Sequence, residues 1–246
     1  MMRIMEVNLN LRTERNKQPM DYFISESVSK TLCDVIPAAD IYAMVEYMKC
    51  ENELFLKQFT QNGYTLFDMI DKKQRGILVA VRNLVAKKVY ELASPHLLHL
   101  RVESVGQNID LIVMRILVGH TLSEKEFKDR RAQFLRALEY IATLCTQNVI
   151  VLGDFNNANI RDNYDGYVQK SYNYQFIIEE FNKIGLRLIP IDGYSHKGYL
   201  KEDHIILGNA FTITKAEYND KLFNSNDDTI GYPDHQPLVA DIEIKQ

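Results

Sequence analysis

Residues 148–156 read Asn-Val-Ile-Val-Leu-Gly-Asp-Phe-Asn. The run from Val149 to Leu152 is apolar without alternation, the pattern of a strand covered on both faces. Gly153 lets the backbone turn tightly where the run ends. Asp154 and Asn156 are two apart, so in extended geometry both side chains point the same way. An anion and a neutral amide side by side can orient a water and hydrogen-bond a phosphate oxygen. The same four residues, 153–156, also fit an Asx-turn leaving a strand, and taken alone they leave both readings open.

Working outward, the same event recurs along the chain. Residues 2–8 alternate as a strand and end in Asn8-Leu9-Asn10; residues 40–45 form a short apolar run that stops at Glu46. Asp203 and His204 sit beside Ile205-Ile206-Leu207, and Asp234-His235 precede a strand over 238–244. Polar groups gathered at the ends of buried strands build a site on a rigid scaffold. Residues 76–82, 109–118 and 211–214 read as further strands. Helices are expected over 20–33, with Ile24, Val28 and Leu32 at i, i+4 and i+8 and Asp21 as cap, and over 51–61, with Leu54, Phe55 and Phe59. A third, over 123–144, opens with a Ser123/Glu126 capping box and buries Phe127, Phe134, Leu135, Leu138 and Ile141. A fourth runs over 173–184 and closes at Gly185. Strands outnumber helices and helices fall between them, which fits an α/β or α+β layered domain.

The chain has 246 residues, 46% hydrophobic and 25% charged, enough for a sizeable core. Gly (11) and Pro (6) are sparse and no repeat or linker is visible, so one domain over 1–246 is expected. No apolar run approaches the roughly eighteen residues of a membrane span, and the N-terminus has no apolar leader segment. Cys33, Cys50 and Cys145 are odd in number and widely spaced, which suits free thiols in a reducing cytoplasm and argues against a zinc site. Net charge is -4, from 29 basic and 33 acidic residues, which speaks against a strongly basic nucleic-acid binder. An acidic cluster holding a divalent cation would nevertheless present positive charge to a phosphate.

Single residues carry modest weight. Pro233 and Pro237 stiffen the Asp234-His235 segment, where the carboxylate can orient the imidazole as acid, base or phosphate ligand; a polar turn is the plain alternative. Glu46 is a candidate Mg²⁺ ligand or a solvated strand end. Asn8 and Asn10 are routine strand-end residues.

Taken in order, these pieces resemble the endonuclease/exonuclease/phosphatase superfamily, with its DNase I-like fold: strand-Asn-x-Asn (Asn8, Asn10), strand-Glu (Glu46), Gly-Asp-Phe-Asn (153–156), Asp-His-Ile (203–205) and Asp-His-x-Pro (234–237), spanning residues 3 to 243. The resemblance implies a four-layer sandwich of two mixed β-sheets flanked by helices, with the site at one rim. It implies Mg²⁺ or Mn²⁺ held by Glu46, with Asn8 or Asn10 and Asp234 close by. Asp154 resembles the residue that activates the nucleophilic water, Asn156 the phosphate-contacting amide, and His235 the histidine on the scissile phosphate. Asp203 resembles the aspartate supporting that histidine or the metal network.

There are departures. Val7 stands where the family often has Trp, and Lys201-Glu202-Asp203 where it has Arg-Ile-Asp. Where the central strand usually offers a His or Tyr to the phosphate, this chain has Arg115, readable as a phosphate-binding cation or as an outward-facing strand residue. His120, five residues on, is a second candidate. The implied function is a nuclease acting on DNA first, or RNA. A phosphatase on a small phosphoester or lipid headgroup is the alternative, and a binding module with decayed chemistry a third. Lys125, Lys128, Arg130, Arg131 and Arg136 lie on or near one helix and could track a phosphate backbone or form a solvated face.

Overall fold

The computed structural model describes residues 1–11, 23–34, 39–119, 123–159, 163–164, 167–168, 170–224 and 229–245. One sheet contains β1 (Met2–Asn8), β2 (Ile41–Met48), β3 (Thr65–Ile70), β4 (Arg75–Val81), β13 (Phe211–Tyr218) and β14 (Leu238–Ile244), in the order β13-β14-β1-β2-β4-β3. The other contains β5 (Val85–Ala93), β6 (His96–Ser104), β7 (Gln107–Arg115), β8 (Val149–Asp154), β11 (Arg187–Leu188) and β12 (Asp203–Leu207), in the order β11-β12-β8-β7-β6-β5. Short strands β9 (Asn163–Tyr164) and β10 (Tyr167–Val168) pair with each other. The helices are α1 (Glu26–Asp34), α2 (Glu53–Gln61), α3 (Glu124–Ile141) and α4 (Tyr174–Lys183). Each large sheet is mixed: β1–β2 and β7–β8 are parallel, and their neighbours antiparallel.

The period-two side-chain alternation of a strand sorts residues into layers. Ile4, Ile41, Ala43 and Val45 from one sheet meet Val113, Ile150, Leu152 and Ile205 from the other in a shared inner core. The alternate residues Met5, Val7, Tyr42 and Met44 face Val28 and Leu32 of α1 and Phe55 and Phe59 of α2. On the far side Ile112, Met114, Val151 and Ile206 pack on Phe127, Phe134, Phe181 and Ile177 of α3 and α4. The result is helix, sheet, sheet, helix. Central strands are therefore covered on both faces, which is why they read as unbroken apolar runs. Each such side chain contributes about 1.5–3 kcal/mol when removed from water.

Three expectations need correction. Strands β3, β5 and β6 were not visible in the sequence. Strand β5 is a sheet edge, exposed along most of its length, so its Lys and Glu residues break the apolar pattern. Strand β6 carries His96, His99 and Arg101 among its leucines; Asp110 of β7 receives His99 Nε2 at 3.0 Å and Arg101 Nη2 at 2.8 Å. Helix α1 starts at Glu26; Ile24, Val28 and Leu32 are all buried, while the proposed cap Asp21 lies outside the described residues. Helix α2 starts at Glu53 and leaves Leu54 58% exposed, with Phe55 and Phe59 alone forming its buried face. Among the described residues no helix is long and apolar enough to cross a membrane.

Candidate active site

The alternation that fills the inner core also aims the polar residues. Counting in twos from Ile4 reaches Glu6 and Asn8; from Val113, Arg115; from Leu152, Asp154; and back from Ile205, Asp203. Since β1 and β7 end where β8 ends and β12 begins, these five side chains converge at one end of the layer between the sheets. There the apolar filling gives way to a polar rim. Register confirms the convergence within the second sheet, where Asp154 faces Asp203 across one ladder and Arg115 across the other.

Asp154 is the hub. Its Oδ1 accepts the Asn156 backbone N–H at 2.9 Å; its Oδ2 accepts Asn156 Nδ2 at 2.7 Å and Asn8 Nδ2 at 3.3 Å. Arg115 Nε lies 3.4 Å from Oδ2, and the same guanidinium pairs with Glu46, joining β7 to β2 across the two sheets. Arg115 is thus not an outward-facing strand residue. Asn156 also gives Nδ2 to the Ile116 carbonyl at 2.9 Å, so both amide hydrogens are used within the protein; here it orients Asp154, and reaching a phosphate would require releasing one of them.

Glu46 owes its direction to an extra residue. Strand β2 advances from Met44 to Tyr47 while β4 advances only from Leu78 to Gly76, a β-bulge, and Glu46 sits in it with φ 52°. Leu11 N–H donates to the Glu46 carbonyl at 3.2 Å, so the Asn8-Leu9-Asn10 segment runs alongside. Asn8 Oδ1 accepts the Asn10 N–H at 2.8 Å. Asn10 donates Nδ2 to Thr229 O at 3.2 Å, while its buried Oδ1 has no hydrogen-bond partner among the described residues.

The second half of the rim is built on histidine. His235 Nδ1 bonds to Asp203 Oδ2 at 2.7 Å. His196, which the sequence reading overlooked, stacks on His235 with ring centroids 4.2 Å apart. Its Nδ1 is 3.0 Å from Glu202 Oε2 and its Nε2 3.9 Å from Asp234 Oδ2. Among the described residues, His196, Asp234 and His235 are the one group of three or more His, Cys, Asp or Glu whose ligand atoms lie within 4.8 Å of one another.

The electrostatics follow from crowding charge among buried side chains. Burial, and then the nearby Asp203, push Asp154 up to about 8, against the pull of His235 and Arg115. Burial works against an imidazolium at His235, yet Asp203, Asp154 and Asp234 together lift it well above the usual histidine range. Burial also opposes ionised Asp203, but its pairing with His235 holds it below the usual carboxylate value. Glu6, 1% exposed and likewise unforeseen, is raised far above the carboxylate range by burial and by Asp203 and Asp154. A charged residue at an inward-facing position of an alternating strand was the available signal for it.

His204, next to Asp203, points the other way: its Nε2 meets Asn157 Oδ1 at 2.8 Å, and burial pushes it down to about 3. The basic helix is largely engaged within the fold. Arg130 donates to the Asn156 carbonyl at 2.8 Å, Arg131 lies over Phe176, Arg136 donates to Ser94 O, and Lys128 pairs with Glu124. His120 lies outside the described residues.

A scan of protein-family models gives no match, and neither does a search of the curated proteins. Solved structures do match. The chain is similar to a 3' phosphatase, NExo from Neisseria, bound to product DNA hairpin, with TM-score 0.70 and 16% identity over 99% of this chain and 100% of that one. It is similar to D. rerio TDP2 complexed with single-strand DNA product, with TM-score 0.60 and 14% identity over 98% of each chain. It is similar to the human Nocturnin catalytic domain with bound sulfate, with TM-score 0.60 and 16% identity over 99% of this chain and 93% of that one. The architecture is the DNase I-like fold of endonuclease/exonuclease/phosphatase proteins.

Proposed function

We propose that this protein is a divalent-metal-dependent phosphoesterase, most specifically a nuclease that hydrolyses DNA phosphodiester bonds, with residues 1–246 acting as one catalytic domain. The observation that carries the reading is Asp154, buried at the rim with Asn8, Arg115 and Asn156 on its carboxylate and the Asp203–His235 pair beside it. Two of the similar structures hold DNA, which supports that substrate over a small phosphoester. The free thiols of Cys33, Cys50 and Cys145 support a reducing, cytoplasmic setting.

The donor set fits Mg²⁺ or Mn²⁺. Asn10 offers a buried, unpartnered carboxamide oxygen alongside Glu46, and hard cations take oxygen ligands. Glu46, Asn10 and Asp234 would hold the ion. Asn8 is better suited to positioning, since its oxygen accepts Asn10 N–H and its amide holds Asp154. When bound, such an ion neutralises charge on the phosphate and its leaving oxygen. The protein's own residues do the rest. Asp154, once ionised, orients a water and accepts its proton, with Asn8 and Asn156 fixing its two oxygens. Arg115 and the His235 imidazolium present permanent or near-permanent positive charge to non-bridging oxygens. Asp203 holds His235 by its Nδ1.

Incubation with supercoiled plasmid and Mg²⁺ or Mn²⁺ should yield nicked product that EDTA suppresses. Asp154→Ala and His235→Ala should each lower turnover by about 10²–10⁴, with the circular dichroism spectrum unchanged. Full activity in either variant would overturn the assignment of that residue. If plasmid stays intact, a panel of small phosphoesters tests the alternative substrate class; silence there too would favour a binding protein.

A further inference from the structure

The His196 side of the rim has a construction of its own. Glu202 and Asp203 are consecutive, and each carboxylate holds one imidazole by Nδ1: His196 at 3.0 Å and His235 at 2.7 Å. With Nδ1 held by a carboxylate, Nε2 is the atom each ring can offer to a metal, and at His235 binding would release the Nε2 proton. Both Nε2 atoms face the same carboxylate, 3.9 and 4.0 Å from the two oxygens of Asp234. These gaps are too long for hydrogen bonds, which end near about 3.2 Å. His196 Nε2 is buried and has no hydrogen-bond partner among the described residues.

The backbone holds the arrangement. His196 and His235 form an antiparallel bridge, and Gln236 N–H donates to Ser195 O at 2.7 Å. Ser195 Oγ accepts the N–H groups of Glu202 and Asp203 at 3.0 and 3.2 Å, tying the two tethering carboxylates to the same turn.

We propose that His196 Nε2, His235 Nε2 and the Asp234 carboxylate form a binding site for a transition-metal dication of the Zn²⁺ or Co²⁺ class, sharing Asp234 with the oxygen-donor set of Glu46 and Asn10 but distinct in ligand chemistry. Two imidazoles and one carboxylate, each imidazole oriented by a second carboxylate, are the donors such ions select, whereas Mg²⁺ selects oxygen alone. A tetrahedral ion with bonds of about 2.0–2.1 Å separates its ligand atoms by about 3.3–3.5 Å. The three ligand atoms lie within 4.8 Å of one another, so the site must contract by up to about 1.4 Å at its widest, and the stacked rings must tilt. His196, on the turn between β11 and β12, is the partner placed to move. The proposal does not depend on the phosphoesterase reading.

The test is titration of metal-free, full-length protein with Co²⁺, followed by visible absorption, and with Zn²⁺, followed by calorimetry. The bound zinc is also examined by X-ray absorption. The expected result is one ion per chain with two imidazole nitrogens in its shell. His196→Gln should weaken Zn²⁺ binding by at least about 100-fold, and Glu202→Gln, which loosens only the tether, by about 10-fold. Glu46→Gln should leave Zn²⁺ affinity within about twofold while abolishing Mg²⁺-dependent cleavage. Wild-type affinity in His196→Gln, or a zinc spectrum without two imidazoles, overturns the proposal; the spectrum is decisive even where a variant fails to fold. Zinc binding without ester cleavage would sink the proposed function alone, and cleavage without zinc binding the metal site alone.

Discussion

Arg115 brings a permanent charge into a nearly closed space, and Glu46 and Asp154 answer it with two carboxylates. Removing the cation leaves buried Glu46 uncompensated and takes from Asp154 a charge that favours its ionised form, which costs about 3–5 kcal/mol for comparable pairs. Arg115→Met should lower urea stability on that scale, and adding Glu46→Gln should recover part of the loss; additive losses would show that the pair is not coupled. His204 gives a pH prediction. Its folded value of about 3 lies below the ordinary 6.5, so the unfolded chain takes up a proton first as pH falls. The neutral-histidine contribution is complete above 6.5 and lost as pH falls from there toward 3, at about 1.4 kcal/mol per unit. His204→Gln loses packing at pH 7 but not this proton, so its stability deficit against wild type should shrink by roughly 2 kcal/mol between pH 7 and 5. Denaturant melts at both values check it. At this scale the sequence was legible where a polar residue ended an apolar run, as at Asp154 and Glu46. His196 was not, because it sits in an irregular turn and only packing shows what it faces; Glu6 left one trace, a charge at an inward-facing position of an alternating strand.

Gly153 shows how an element fixes a residue's position. Strand β8 runs parallel to β7, with Gly153 opposite Met114, and its φ of 139° lies where side chains are disfavoured. A Cβ there would fall 1.9 Å from the Met114 carbonyl oxygen. Gly153→Ala should therefore push β8 off β7 just before Asp154, costing several kcal/mol by analogy with other overpacked sites, about 1–3 or more, and lowering activity with it. Thermal melting and turnover should fall together; a stable but inactive variant would mean that the strands did not part. Helices α3 and α4 were readable because their caps are local: Ser123 Oγ accepts Glu126 N–H at 3.3 Å, and Asn173 Oδ1 accepts Phe176 N–H at 3.0 Å. Strands β5 and β6 were not, since β5 lies at a sheet edge that water covers and β6 carries His96, His99 and Arg101 among its apolar residues.

At the scale of the molecule, periodicity alone yielded layers, and the count of two sheets came from the family resemblance. Pairing between β1 and β14, at opposite ends of the chain, is invisible to any local pattern. The shared inner core makes the two sheets depend on each other. Leu111→Ala between the sheets and Phe134→Ala beneath α3 should each lower one common unfolding transition, by about 2–5 kcal/mol. Two separable transitions, each shifted by one variant, would instead mean that the sheets fold apart. The bulge in β2 has a consequence for how such a chain can change. Before it, odd-numbered residues look inward; after it, Tyr47 and Met48 both belong to the helix-facing side, and Glu46 alone spends the surplus residue in turning toward the opposite sheet. Deleting Val45 would restore an unbroken pleat, with the acid still on the inner face but in the place Val45 holds now, one residue back from the rim. The chemistry at this corner therefore depends on chain length as well as on side-chain identity: a strand one residue shorter would keep the glutamate and draw it away from Arg115.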